Sequence, residues 1–155
     1  MRLYIGSDYR GFALKQKMSE YLSQQGHEVI DLGPKEYREG DDYNTAATGV
    51  ALDVRADEKA FGILICESAH GMTIQANRFL KVRAAHCENE ESARLAREHD
   101  DANVLCLSAH FLNESAMEKI IDVFLATQFE PLERRVRRVK KLDDTTYLTG
   151  GQVYD

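Results

Sequence analysis

The sequence predicts an α/β fold, a Rossmann-like three-layer α/β/α arrangement around a five-stranded parallel sheet. Three observations predict it. Short apolar runs alternate with stripes of helical period, and the connections between them are brief. The run at residues 61–66, FGILIC, is apolar on both pleat faces, as a strand covered by helices on both sides must be. Such a chain winds right-handed and gathers its functional residues beyond the carboxyl ends of its strands.

Residues 2–7 form the first expected strand, bounded by the turn-forming Gly6, Ser7 and Asp8. Leu14, Met18, Tyr21 and Leu22 then repeat at i, i+4, i+7 and i+8, one apolar stripe of a helix that Gly26 is placed to stop. A second strand is expected at 28–32, closed by Gly33 and Pro34, and the acidic stretch 35–44 reads as a long loop. Ala47, Val50, Ala51 and Val54 mark a second helix. Residues 61–66 give the third strand, 82–87 the fourth and 103–107 the fifth, with helices at about 72–79 and 89–98 between them. Met117, Ile120, Ile121, Phe124 and Leu125 give the clearest helical stripe, and a further amphipathic segment follows Pro131. Residues 1–141 are expected to form one domain. Residues 142–155 lack periodicity and read as a tail, plausible as an intersubunit arm.

A chain of 155 residues that is 43% hydrophobic is large enough to bury one ordinary core. Its net charge of −6 argues against nucleic-acid binding, which demands a basic face. The exception is a late basic run, Arg134, Arg135, Arg137, Arg138, Lys140 and Lys141, better suited to a small anionic ligand than to a polymer. No apolar run approaches the roughly 18 residues of a membrane span. The first residues lack the form of a signal peptide, and three cysteines without a CxxC pair suggest neither disulfides nor a zinc knuckle. A soluble cytoplasmic protein is therefore expected.

The strand ends nominate Asp8, Cys66, Cys87, Ser108 and His110. Cysteines ending apolar strands are mostly small buried hydrophobes, the reading that suits Cys87 and Cys106. Cys66 differs because a helix begins just beyond it, in ICESAHGMTIQAN, a setting expected to lower its thiol pKa. Residues 6–11 have the glycine spacing of a phosphate loop but lack its lysine and hydroxyl, and no GxGxxG occurs, so neither a nucleotide triphosphate nor NAD is expected. Cys66 and His70 alone make a poor metal site, and no cofactor or metal is expected. Arg134 and Arg138, at i and i+4, would share one helical face and could grip a phosphate.

The segments GSDYRGFALKQKMSEYL, GHEVIDLG, GILICESAHGMTIQANR and VRAAHCENEESARLAREHDDANVLCLSA, with the late Arg-rich helix, resemble in order and spacing the ribose-5-phosphate isomerase type B and galactose-6-phosphate isomerase family. The likeness covers about residues 1–140. It implies metal-free aldose–ketose isomerisation of a sugar phosphate by a dimer or tetramer with sites between subunits. By position, Cys66 looks like the base that moves a proton between C1 and C2. His99 looks like the residue that helps open the sugar ring, with Asp8 nearby, and Ser68 stands where the family commonly has threonine. Tyr43 matches an Asp-Tyr-Pro element, Asn77 an Ala-Asn-Lys/Arg element, and Arg134 and Arg138 the phosphate-binding arginines supplied across the dimer interface. Asn103, at the opening of the fifth strand, and Gly71 complete the substrate-binding set that the resemblance implies.

The pattern breaks at the site itself. The family's Gly-Thr-Gly-x-Gly is here Glu67-Ser68-Ala69-His70-Gly71, its usual histidine is Tyr9, and its usual arginine after the fifth strand is His110. Glu67 and Ala69 restrict a loop that would otherwise bring backbone N–H groups to an oxyanion, and Glu67 adds a charge expected to raise the thiol pKa. Three readings follow: an isomerase of a sugar phosphate other than ribose 5-phosphate, with Glu67 and His70 recognising hydroxyls or sharing the proton transfer; an isomerase of a sugar with a weaker anionic handle; or a non-catalytic sugar-phosphate-binding subunit or sensor. Retention of Cys66, His99 and Asp8 together favours catalysis.

Overall fold

In the computed structural model, which describes residues 1–148, five parallel strands run in the order β2-β1-β3-β5-β4. They are β1 (Arg2–Ser7), β2 (Glu28–Asp31), β3 (Phe61–Cys66), β4 (Ala84–His86) and β5 (Val104–Ser108). Between and after them come α1 (Phe12–Gln24), α2 (Tyr43–Ala56), α3 (His70–Ala76), α4 (Glu90–Asp100), α5 (Glu114–Ala126), α6 (Glu133–Leu142) and the short α7 (Thr145–Leu148).

Strand alternation divides the core into two layers. On one face Leu3, Ile5, Ile63, Ile65, Leu105 and Leu107 meet Met18 and Leu22 of α1 and Met117, Ile121 and Phe124 of α5. On the other, Leu64, Cys66, Val104 and Cys106 meet Val50 and Val54 of α2 and Met72 of α3. Burial on both faces is what made β3 read as a continuous apolar run. β3 is the central strand, with β1 on one side and β5 on the other, and Cys66 lies level with Ser108.

The expected elements all form, with shifted ends. The loop after β2 stops two residues early because α2 begins at Tyr43. β4 is three residues long rather than six; the turn before it is held by Asn77, whose amide exchanges two hydrogen bonds with the Ala84 main chain at 2.8 and 2.9 Å. α4 starts one residue later than expected, because Asn89 caps it through a capping box with Ser92. Leu142 closes α6 rather than opening a tail, and a short helix follows. The remainder of the expected arm, residues 149–155, lies outside the described residues. Among the described residues, no helix is long and apolar enough to cross a membrane.

The amino edge of the sheet is closed by charge. Arg97, buried in the last turn of α4, stacks on Phe61 and Phe124 and donates to Asp101 and the Ala102 carbonyl. At the other edge the fully buried Lys15 donates to both oxygens of Asp31 at 2.8 Å and to the Pro34 carbonyl, fastening the turn after β2 onto α1.

Candidate active site

Three neighbouring strands deliver their last side chains to one corner. β1 leads into Asp8, β3 ends in Cys66 and β5 ends in Ser108. The loop after β1 folds tightly onto β3 because Gly11 has no side chain: a Cβ there would stand 2.2 Å from the Ile65 carbonyl oxygen. This closeness puts Asp8, only 8% exposed, over the end of β3. One of its oxygens accepts from the Gly11 N–H at 2.7 Å and the other lies 3.4 Å from the Glu67 N–H.

Cys66 is 4% exposed, and its sulfur accepts a hydrogen bond from the Ala69 N–H at 3.1 Å. Ala69 reaches that position with φ of 67°, the left-handed conformation for which glycine is the natural choice. The N–H groups of Ala69, Met72 and Ser68 all favour thiolate, as expected where a helix begins. They are outweighed. Burial and the Asp8 carboxylate push the thiol above its ordinary range, reversing the expected direction. The opposing charge also differs from the expected one, being Asp8 rather than Glu67. Asp8 itself is pushed up, chiefly by burial, against the pull of its backbone donors.

Glu67 turns its carboxylate away from the sulfur. Oε1 lies 3.0 Å from His110 Nδ1 and Oε2 lies 3.6 Å from Arg10 Nε. Its main chain is held separately, the carbonyl accepting from the Ser108 hydroxyl at 2.7 Å and the His110 N–H at 3.1 Å. The Arg10 guanidinium also stacks over Tyr9, whose ring meets Tyr37 edge to face. Arg10 carried no motif signal. It is recognisable only from the sheet order that sets the loops after β1 and β3 side by side.

The rest of the corner is aromatic and small. Tyr43, the first residue of α2, lies flat enough against α3 that a Cβ on Gly71 would come within 2.5 Å of its ring. Ser68 is partly buried between Glu67 and Ala69. His70 opens α3 and meets His86 edge to face at 5.2 Å, and burial lowers the His86 pKa. Among the described residues, no group of three or more potential ligands could hold a metal ion.

Five expected residues lie elsewhere. Asn77 spends its amide on Ala84, as described. Asn103 sits at the start of β5, the opposite edge, where its amide accepts from the Arg83 N–H and donates to the Lys81 carbonyl. Both asparagines act as clamps within the chain, each donating one hydrogen bond and accepting one from the main chain. His99 lies in the last turn of α4, which leaves the corner's edge and runs 11 residues, about 16 Å, toward the other. It pairs with Glu98 at 3.2 Å. Arg135, buried on α6, donates to the Glu98 carbonyl at 3.3 Å and carboxylate at 3.2 Å, fixing α6 beside that same turn. Arg134 and Arg138 project from α6, exposed and, among the described residues, without an ion pair. One chain thus carries two separate clusters: Asp8, Cys66 and Tyr43 at one end, His99 with Arg134 and Arg138 at the other.

The family model described as Ribose/Galactose Isomerase matches residues 3–142. A probable ribose-5-phosphate isomerase B of Mycoplasma genitalium is 43% identical over 141 residues, covering 90% of this chain and 92% of that one. The Escherichia coli ribose-5-phosphate isomerase B is 38% identical over 129 residues, covering 83% of this chain and 86% of its own length. Among solved structures, the Mycoplasma genitalium ribose-5-phosphate isomerase B with bound ribulose-5-phosphate aligns with a TM-score of 0.88 at 38% identity, over 98% of this chain and 97% of that one. The corresponding enzyme of Thermotoga maritima gives a TM-score of 0.87 at 39% identity, over 92% of this chain and 97% of that one. With a matched model over most of its length and relatives this similar, the chain belongs to the ribose/galactose isomerase family.

Proposed function

We propose that the protein is an aldose–ketose isomerase acting on a sugar phosphate, with ribose 5-phosphate and ribulose 5-phosphate as the pair best supported. The observation that carries this is the likeness, over nearly the whole chain, to a structure holding ribulose-5-phosphate. The Cys66 corner supplies a compatible chemistry. Cys66 as thiolate removes the proton at C2 of the open-chain aldose, giving an enediol(ate), and returns a proton at C1. One proton moves between carbons and one between oxygens, so the step balances with no external electron carrier. Backbone N–H groups at the start of α3 stabilise the developing oxyanion, an effect worth about 3 kcal/mol of barrier per donor.

His99, Arg134 and Arg138 enter this scheme from a second copy of the chain. Within one copy they stand at the far end of α4, whereas the free i, i+4 arginine pair suits a phosphate monoester whose binding energy positions C1 and C2 against the base. The functional unit is accordingly a homodimer, or a tetramer made of two such dimers, acting in the cytoplasm, with residues 1–141 as one catalytic domain. Tyr43 and Gly71 form the wall beside Cys66, Ser68 stands in the loop from β3 to α3, and Tyr9, His70 and His110 line the approach.

Solvent-deuterium incorporation, followed across pentose, hexose and tetrose phosphates and their unphosphorylated counterparts, tests the proposal. Exchange into C1 or C2 of a ribose 5-phosphate and ribulose 5-phosphate mixture is expected, faster than into the other sugars. Saturable binding by calorimetry with no exchange into any sugar would replace the isomerase with a sensor.

A further inference from the structure

We infer that Glu67 governs anion selectivity at this site: its carboxylate is a built-in competitor that occupies Arg10 and His110 until an incoming phosphate displaces it. The isomerase reading supplies the ligand's identity here, while the contacts of Glu67 stand independently of it. Glu67 follows β3, the strand between β1 and β5, and so reaches a basic side chain on each flanking loop, Arg10 at 3.6 Å and His110 at 3.0 Å.

Exposure separates a competitor from a structural staple. The side chains of Glu67, Arg10 and His110 are 48%, 56% and 60% exposed, so water screens both contacts and each is individually weak. The backbone of Glu67 does not depend on them. Its N–H faces Asp8, and its carbonyl is held by Ser108 and the His110 N–H, bonds that survive loss of the carboxylate. A phosphate carrying close to two negative charges outcompetes a single carboxylate for the same two donors, whereas an uncharged sugar gains nothing by displacing it. The consequence is a site that admits phosphorylated ligands at reduced affinity and discriminates against weaker anions.

Calorimetric titration with inorganic phosphate of the wild-type chain, Glu67→Gln, and the double variants Glu67→Gln/Arg10→Ala and Glu67→Gln/His110→Ala tests this. Phosphate affinity is expected to rise on the order of three- to ten-fold in Glu67→Gln. That gain is expected to disappear in either double variant. Unchanged or weaker phosphate binding by Glu67→Gln overturns the inference, as does a gain that persists without Arg10 and His110. Because the readout is phosphate binding, a wild-type chain that turns over no sugar would sink the isomerase reading alone. A chain that isomerises sugars but shows no tightening in Glu67→Gln would sink this inference alone.

Discussion

Cys66 is held between opposing influences. Three N–H groups favour its thiolate, while burial and Asp8 favour the thiol and prevail. If the thiolate is the base, kcat/KM climbs with pH as far as the raised thiol pKa. Replacing Asp8 with Asn removes the opposing charge, and the rising limb is expected to move to lower pH; the pH profile of kcat/KM, or of Cys66 alkylation, measures it. Cys66→Ala is expected to lose at least about a hundred-fold in turnover. The same shift bears on folding. A thiol whose folded pKa is raised contributes stability below the ordinary thiol range and loses it as pH rises through the folded value. Cys87 and Cys106, pushed by burial to about 11 and about 12, add to that alkaline loss. Ala69 shows how little slack the corner has. Its left-handed backbone costs roughly 1–2 kcal/mol, and its fully buried methyl returns only about 0.8 kcal/mol.

On α6, adjacent arginines divide two tasks. Arg135 is buried against Glu98 and Glu130 and fastens the helix, whereas Arg134 and Arg138 face solvent. Arg135→Ala is expected to cost about 2 kcal/mol in chemical denaturation, since it removes a buried, multiply bonded cation. Reversing the charge of Arg134 and Arg138 is expected to leave stability within about 0.5 kcal/mol and raise KM for a phosphorylated sugar. The period of α6 was readable in the sequence; which arginine turns inward was not, because that depends on α4 lying beneath it. A similar division holds across the fold. β3 and α5 announced themselves by continuous or periodic apolar residues, but β4 was read too long because the Asn77 clamp leaves no periodic trace. Cys66 and Asp8 could be nominated from strand ends alone, whereas the Arg10–Glu67–His110 arrangement required knowing that β3 lies between β1 and β5. Asn77 and Asn103 resemble ligand-binding asparagines in type and position, and their clamping bonds to the main chain were not readable from the sequence.

For the molecule as a whole, the proposed mechanism, with Cys66 separated from His99, Arg134 and Arg138 by the length of α4, requires paired chains. Two variants impaired in opposite halves of the site, Cys66→Ala and the Arg134→Glu/Arg138→Glu double variant, are then expected to rescue each other at subsaturating substrate when unfolded and refolded together. Random pairing in equal amounts leaves about a quarter of the sites with both intact halves, a fraction that the steady-state rate reads directly. No recovery in mixed, correctly assembled dimers would place all functional residues within one chain. The sheet has a boundary of its own at β4, its outermost strand. There the Asn77 amide satisfies the N–H and carbonyl of Ala84, the groups that a sixth strand would otherwise claim. A side chain thus does the work of a missing neighbour, and Asn77→Ala is expected to leave that edge open to pairing with a strand from another chain.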